Sequence, residues 1–181
     1  MFGIKEKTMK KIAVIFADGT EELEALTPVD VLRRAGACVE IVSVSGKTPV
    51  GSHDIQIVTD KLVNEVDFSS YDGIVIPGGM PGAINIANDE MVVDALEEMV
   101  RDNKLVASIC ASPAIVLAKH DLLRDKKATC YPAPDFIKAL GKSYTGTDVE
   151  IDGNLITANG PKSAMKFSLA ICDYLGLTPK F

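Results

Sequence analysis

Leu105-Val106-Ala107-Ser108-Ile109-Cys110-Ala111-Ser112-Pro113-Ala114-Ile115-Val116-Leu117-Ala118 decides the fold. Its first five residues form a continuous apolar run suited to a strand buried on both faces, and the residues after Cys110 form an apolar run suited to a helix. A cysteine at such a junction stands where an α/β enzyme presents a nucleophile. The positive end of the helix dipole and unpaired N–H groups there favour thiolate over thiol, so a lowered Cys110 pKa is expected. A free cysteine of no particular position would instead be a small buried hydrophobe.

Outward from this junction the pattern repeats. Ile12-Ala13-Val14-Ile15-Phe16-Ala17 reads as the first buried strand. Asp18-Gly19-Thr20-Glu21-Glu22 follows, with Thr20 a candidate N-cap, and a helix carried by Leu23, Leu26, Val29, Val31 and Leu32 stops at Gly36. A second strand spans Cys38 to Val44, and a small hairpin from Gly46 ends near Val58. The third long strand, Tyr71 to Ile76, runs into Pro77-Gly78-Gly79-Met80-Pro81-Gly82. A helix is expected from about Asp89 to Asp102. After the strand ending at Cys110 and its helix, which runs to about His120, come a fifth short strand over Lys127 to Tyr131, a hairpin turning at Asp152-Gly153, and a helix from about Ser163 to Leu175.

Alternating strands and helices predict a doubly wound, mostly parallel sheet with helices on both faces. Ligands bind such sheets beyond the carboxyl ends of the strands, where strand order reverses. If the first strand lies beside the third and the third beside the fourth, three segments meet there: the acidic turn at Asp18 to Glu24, the Pro77 to Gly82 loop, and Cys110. Glu24, flanked by Leu23 and Ala25, can face the crevice, whereas Glu21 and Glu22 suit a solvated helix start. A carboxyl beside a thiolate resists ionisation, so a protonated Glu24 would hydrogen-bond the sulfur and hold a proton for transfer. The N–H groups of Gly78 and Gly79, with that of Ala111, could form an oxyanion hole. Such a set suits attack on an electrophilic carbonyl or reduction of a peroxide.

The chain has 181 residues, 47% hydrophobic and 24% charged, and a net charge of -6, which suits one globular domain and opposes binding to nucleic acid or an anionic membrane. Residues 1–9 are expected to be an N-terminal extension, and 10–181 a single domain. No segment has the apolar core of a signal peptide or the length of a membrane span, which predicts a cytoplasmic protein. The four cysteines lack CxxC spacing and only two histidines are present, so no zinc pattern is visible and reduced thiols are expected. His53 reads as part of a surface hairpin and His120 as a cation at a helix C-terminus. Cys38 and Cys172 sit in core-like patterns, and Cys130 reads as either a buried strand residue or a secondary redox site.

Four ordered motifs, Ala17-Asp18-Gly19-Thr20-Glu21-Glu22-Leu23-Glu24-Ala25, Pro77 to Ala83, Ala107 to Ala114 and Lys127 to Pro132, resemble those of the ThiJ/PfpI superfamily. The likeness runs from about Lys10 to Leu175 and is greatest to the branch of the parkinsonism-associated protein deglycase and its bacterial relatives. It implies a flavodoxin-like sandwich, the architecture of the class I glutamine amidotransferases, usually as a homodimer. Cys110 would be the nucleophilic, oxidation-sensitive cysteine, Glu24 its protonated partner, and Gly79 an oxyanion contact. The implied activities are cofactor-free conversion of small dicarbonyls such as methylglyoxal, removal of early glycation adducts from proteins, and redox sensing or chaperone behaviour through oxidation of Cys110. No metal or other cofactor is implied.

The departures from the family are informative. Ala111 replaces the histidine that follows the cysteine in the protease-like branch, which argues against a peptidase. No histidine follows His120, as an amidotransferase would need. Tyr131 stands where the best-known eukaryotic members carry a site histidine; it can hydrogen-bond a substrate but is a poor proton relay. Asn159 and Lys162 replace the usual long polar residue and glycine around Gly160-Pro161. A flavin- or nucleotide-binding module is disfavoured, because the acidic first loop would repel phosphate and the glycine loop is not GxGxxG.

Overall fold

The computed structural model describes residues 8–181. Most of the extension expected over residues 1–9 therefore lies outside the described residues. Seven strands form one sheet in the order β3-β2-β1-β4-β5-β7-β6, where β1 is Lys11–Phe16, β2 Cys38–Ser43, β3 Lys61–Leu62, β4 Gly73–Ile76, β5 Leu105–Ile109, β6 Val149–Asp152 and β7 Leu155–Ala158. All pairs are parallel except β6 with β7, the hairpin expected around Asp152-Gly153.

β1 shows why the sheet is buried on both faces. Ile12, Val14 and Phe16 enter one core, and Ala13, Ile15 and Ala17 enter the other, so an apolar run with period two supplies both layers at once. The first core is closed by α1 (Glu22–Arg34) and α5 (Ala164–Leu175), through Ala25, Val29, Leu32, Phe167 and Ile171. The second is closed by α2 (Gly82–Ala87), α3 (Glu90–Arg101) and a helix over Pro113–Ala118, through Ile86, Leu96, Met99, Val116 and Leu117. Each such fully buried aliphatic side chain contributes about 2 kcal/mol. Helices on both faces of a mostly parallel sheet give the doubly wound α/β architecture that the alternation predicts, of the flavodoxin-like kind that the resemblance implies.

The chain leaves β1 outward to β2 and β3, then returns to β4 on the other side of β1. Strand order reverses between β1 and β4, and the loops after β1, β4 and β5 share that crevice.

Several local expectations are corrected. Glu21, not Thr20, caps α1: its Oε2 accepts the Glu24 N–H at 2.8 Å, while Thr20 Oγ1 accepts the Ala17 N–H at 3.0 Å. The hairpin near residues 46–58 is reduced to one bridge between Val50 and Gln56. The stretch from Lys127 to Tyr131 is not a strand, because β7 already occupies the edge of β5. It keeps a single bridge from Ala128 to Tyr144, and Thr129 is held instead by Thr157 Oγ1 and the Thr147 carbonyl. The helices α2 and α4 (Pro134–Leu140) carry no clear periodicity and are found only in the structure. The helix after Cys110 is wound more loosely than an α-helix, with Lys119 N–H reaching Ala114 O at 3.3 Å and Leu122 N–H reaching Leu117 O at 2.8 Å.

Candidate active site

Cys110 occupies a left-handed backbone conformation, φ 65°, at the exit of β5. That region costs an L-residue about 1–2 kcal/mol and persists only where neighbours enforce it. The enforcement is visible on both sides: Cys110 N–H donates to Ala158 O at 2.9 Å, and its carbonyl accepts Tyr131 N–H at 2.8 Å. Ser112 Oγ, fully buried, donates to Pro77 O at 2.5 Å and ties the following turn to the β4 loop. The thiol is thus turned into the crevice and left partly accessible.

Glu24 comes from the first turn of α1 and is 0% exposed. Its Oε2 accepts Gly78 N–H at 2.8 Å, whereas Oε1 is buried without a hydrogen-bond partner. Burial pushes the carboxyl up to about 7; the Cys110 thiol and the Gly78 N–H pull down, and the Glu21 carboxylate adds to the rise.

The same burial pushes the Cys110 thiol above its ordinary range, with the charge and hydrogen bonding of Glu24 adding to it, against the pull of the Ala111 and Gly79 N–H groups. The lowered thiol pKa expected from the helix end is therefore corrected: desolvation and a neighbouring anion outweigh the dipole. The rise has a chemical meaning. Two anions are disfavoured in this pocket, so a thiolate is favoured here only beside a protonated Glu24.

The glycines divide their expected role. Gly78 N–H is committed to Glu24 and is not free to hold an oxyanion, which corrects that expectation. What Gly78 supplies is space, since a Cβ there would lie 2.5 Å from Glu24 Oε2 and 2.7 Å from Cys110 Cβ. The N–H groups of Gly79 and Ala111 both act on the sulfur. Tyr131 is 48% exposed and meets the site through its backbone bond to Cys110.

Other candidates resolve into supporting roles. Cys130 and Cys172 are buried and Cys38 half-buried. His120 Nε2 bonds to Ala87 O at 2.9 Å, so it serves the C-terminus of α2 rather than of its own helix. Exposed His53 bonds through Nδ1 to Glu22 at 2.8 Å and through its N–H to the same carboxylate, also at 2.8 Å. Burial works to raise Glu22, but the bonds from His53 outweigh it and hold the carboxyl below its ordinary value. Among the described residues, Glu21, Glu22 and His53 alone bring three metal-type donors within 4.8 Å of one another. Each is already engaged: Glu21 caps α1, and Glu22 pairs with His53.

The clamp from Ala158, the Ser112 tie and the Glu21 cap escape the sequence reading. The first two are contacts between segments distant in the chain and leave no periodic trace, and the third is a local cap made by a residue type outside the usual N-cap set.

Residues 10–174 match the model of the DJ-1/PfpI family. Protein dj-1beta of Drosophila melanogaster is 38% identical over 92% of this chain and 89% of its own length. Protein DJ-1 homologs B and A of Arabidopsis thaliana are 42% and 43% identical over 90% of this chain, which spans only 37% and 42% of their lengths. The structure of oxidized Toxoplasma gondii DJ-1 superposes with a TM-score of 0.88 at 37% identity, covering 92% of this chain and 90% of that one. With the strained Cys110 turn, the buried Glu24 and the glycine loop in the order the motifs require, the chain belongs to the DJ-1/PfpI family.

Proposed function

We propose that the protein is a cysteine-dependent glyoxalase or deglycase acting on small dicarbonyls or early glycation adducts without a cofactor. The observation that carries this reading is the placement of the partly accessible Cys110, in its left-handed turn, in one crevice with the fully buried Glu24 carboxyl. The Cys110 thiolate adds to the aldehyde carbon, forming an S–C bond, and the carbonyl oxygen takes the Glu24 proton to give a hemithioacetal. The Glu24 carboxylate then removes the hydrogen from that carbon and returns it to the adjacent carbonyl carbon, while the hydroxyl proton on the first carbon passes to the oxygen of the second. The resulting thioester is cleaved by water to a hydroxy acid and the free thiol. The overall change is an internal redox shift plus hydration, so no external oxidant or reductant is required. Gly79 and Ala111 N–H groups hold the oxygen as charge develops on it.

Purified protein is expected to form lactate from methylglyoxal without glutathione or added metal, and alkylation of Cys110 is expected to stop it. Unchanged turnover after complete alkylation would overturn the reading.

A second reading, redox sensing by oxidation of Cys110, is favoured by its setting: this thiol and Cys38 are partly exposed whereas Cys130 and Cys172 are buried, and of the two partly exposed thiols Cys110 is the one beside the Glu24 carboxyl. Absence of turnover together with selective oxidation of Cys110 under mild peroxide would support it. Among the described residues no helix is long and apolar enough to cross a membrane. Four unpaired cysteines are in keeping with a reducing, cytoplasmic setting.

The working unit in this reading is a homodimer. Leu23, Val50 and Ile55 are exposed near the N-terminus of α1, where the segment from Val50 to Ser52 hydrogen-bonds the loop after β1. Sedimentation at micromolar concentration is expected to give a dimer that Leu23→Lys with Val50→Lys converts to monomer. A monomeric wild type would exclude it.

A further inference from the structure

A cleft of about 540 Å³ opens beside the elbow, lined by Tyr131, Asp148, Asn159, Gly160, Lys162 and neighbouring residues. Two of its walls are backbone partners of Cys110 or adjoin them. Tyr131 N–H donates to the Cys110 carbonyl, and Asn159 follows Ala158, which accepts the Cys110 N–H. Gly160 lies against the Tyr131 ring, where a Cβ would make an ordinary contact at 3.5 Å.

The polar groups of this cleft are unequally satisfied. Asp148 pairs with Lys166 at 3.7 Å and accepts from Asn159 Nδ2 at 3.2 Å, and Asn159 Oδ1 accepts from Ser163 Oγ at 2.7 Å. Among the described residues, the Lys162 ammonium and the Tyr131 hydroxyl have no hydrogen-bond or ion-pair partner. A cation and a hydrogen-bond donor thus face an open cleft beside Cys110, while Asp148, among the described residues the one carboxylate of the lining, pairs with Lys166 outside it. That balance suits one negative charge; a dianion would meet Asp148.

We propose that this cleft is a carboxylate subsite of the Cys110 centre, with Lys162 as its cation and Tyr131 as its hydrogen-bond donor. The preferred substrate is then an oxo aldehyde bearing a single carboxylate at its far end rather than a neutral dicarbonyl. The inference rests on the reading of Cys110 as a nucleophile given above, and it deepens that reading by naming the substrate class.

The test compares alkylation of Cys110 by iodoacetate and by iodoacetamide. The ratio of the two rates cancels thiol reactivity and isolates the effect of the reagent's carboxylate. One charge at about 7 Å in a partly screened site changes such a ratio by about five-fold. The ratio is expected to fall by that factor in Lys162→Gln, to recover in Lys162→Arg, and to shrink with added salt. An unchanged ratio in Lys162→Gln overturns the subsite.

If neither reagent labels the folded protein, thermal unfolding with millimolar pyruvate decides. A Tm rise in wild type that is absent in Lys162→Gln supports the subsite, and no rise in wild type overturns it. Failure of the glyoxalase reading is distinguishable, since it would show as no turnover of methylglyoxal while the alkylation ratio still responds to Lys162.

Discussion

Glu24→Gln is expected to make the protein less active and, at pH 8, more stable, whereas Cys110→Ala removes activity without that pH signature. The carboxyl is held up to about 7 in the folded chain, against an ordinary value of 4.5. Because the folded pKa is the higher one, protonation favours folding. That stability is fully present below about pH 4.5 and is lost as pH rises through about 7. Its size is about 3 kcal/mol. Glutamine stays neutral across this range and can still accept the Gly78 N–H. Its buried amide protons add a penalty that does not depend on pH, so the discriminating quantity is the change between pH 4 and pH 8. Over that interval the variant is expected to gain about 3 kcal/mol on wild type in urea unfolding. In turnover it cannot give and retrieve a proton, and a loss of about 10²–10³ in kcat is expected. Cys110→Ala, which leaves no sulfur to attack, is expected to fall at least about 10³-fold. Wild-type kcat in Glu24→Gln would exclude the proton shuttle. A pH-independent stability difference would show that Glu24 is ionised at no cost.

Most of the site's membership was legible in the sequence, but its charge balance was not. The crevice followed from an assumed strand order, the first strand beside the third and the third beside the fourth, which the sheet adopts as β1-β4-β5. Glu24 was singled out from Glu21 and Glu22 because its neighbours are apolar, but the expected solvation of the other two fails: Glu22 is also buried, at 5% exposed, and Glu21 is partly buried, while apolar Leu23 is exposed. What failed has one physical cause: a local pattern says where a side chain points, not what competes for it. The helix end at Cys110 does supply favourable N–H groups, yet burial and Glu24 outweigh them. Gly78 was expected to offer its N–H to substrate, and the residue that claims it is far away in sequence. Lys127 to Tyr131 has strand composition, but the sheet position it needs belongs to β7. Lys162 stood out in the sequence only as a departure from the family motif, and its unpaired state emerges from the partners that its neighbours chose.

The two loop glycines are expected to fail differently when each is replaced by alanine, and the contrast tests the geometry of the crevice. Gly79 has φ 92°, where an L-residue is strained whatever the space around it. Its Cβ would also strike the Glu21 backbone nitrogen and lie 2.5 Å from Gly19 O and 2.9 Å from the Thr20 carbonyl carbon. These are backbone atoms of the turn that leads into α1, itself anchored to this loop by Glu21 N–H on Gly78 O at 3.0 Å. Neither side can yield without parting the loops after β1 and β4. Gly79→Ala is therefore expected to cost at least about 3 kcal/mol in stability. By moving its N–H off the sulfur it should also cost about 10²-fold in kcat. At Gly78 the backbone lies outside the left-handed region, and the nearest contacts are the Glu24 carboxyl and Cys110 Cβ, with Ile109 O at 3.0 Å. The carboxyl is the movable neighbour, so Gly78→Ala is expected to fold with a smaller loss and to expel Glu24 from the pair, abolishing turnover. Unfolding curves and kcat for both variants separate the cases. Equal stability losses, or an active Gly78→Ala, would mean that the space between carboxyl and thiol is not what makes this crevice reactive.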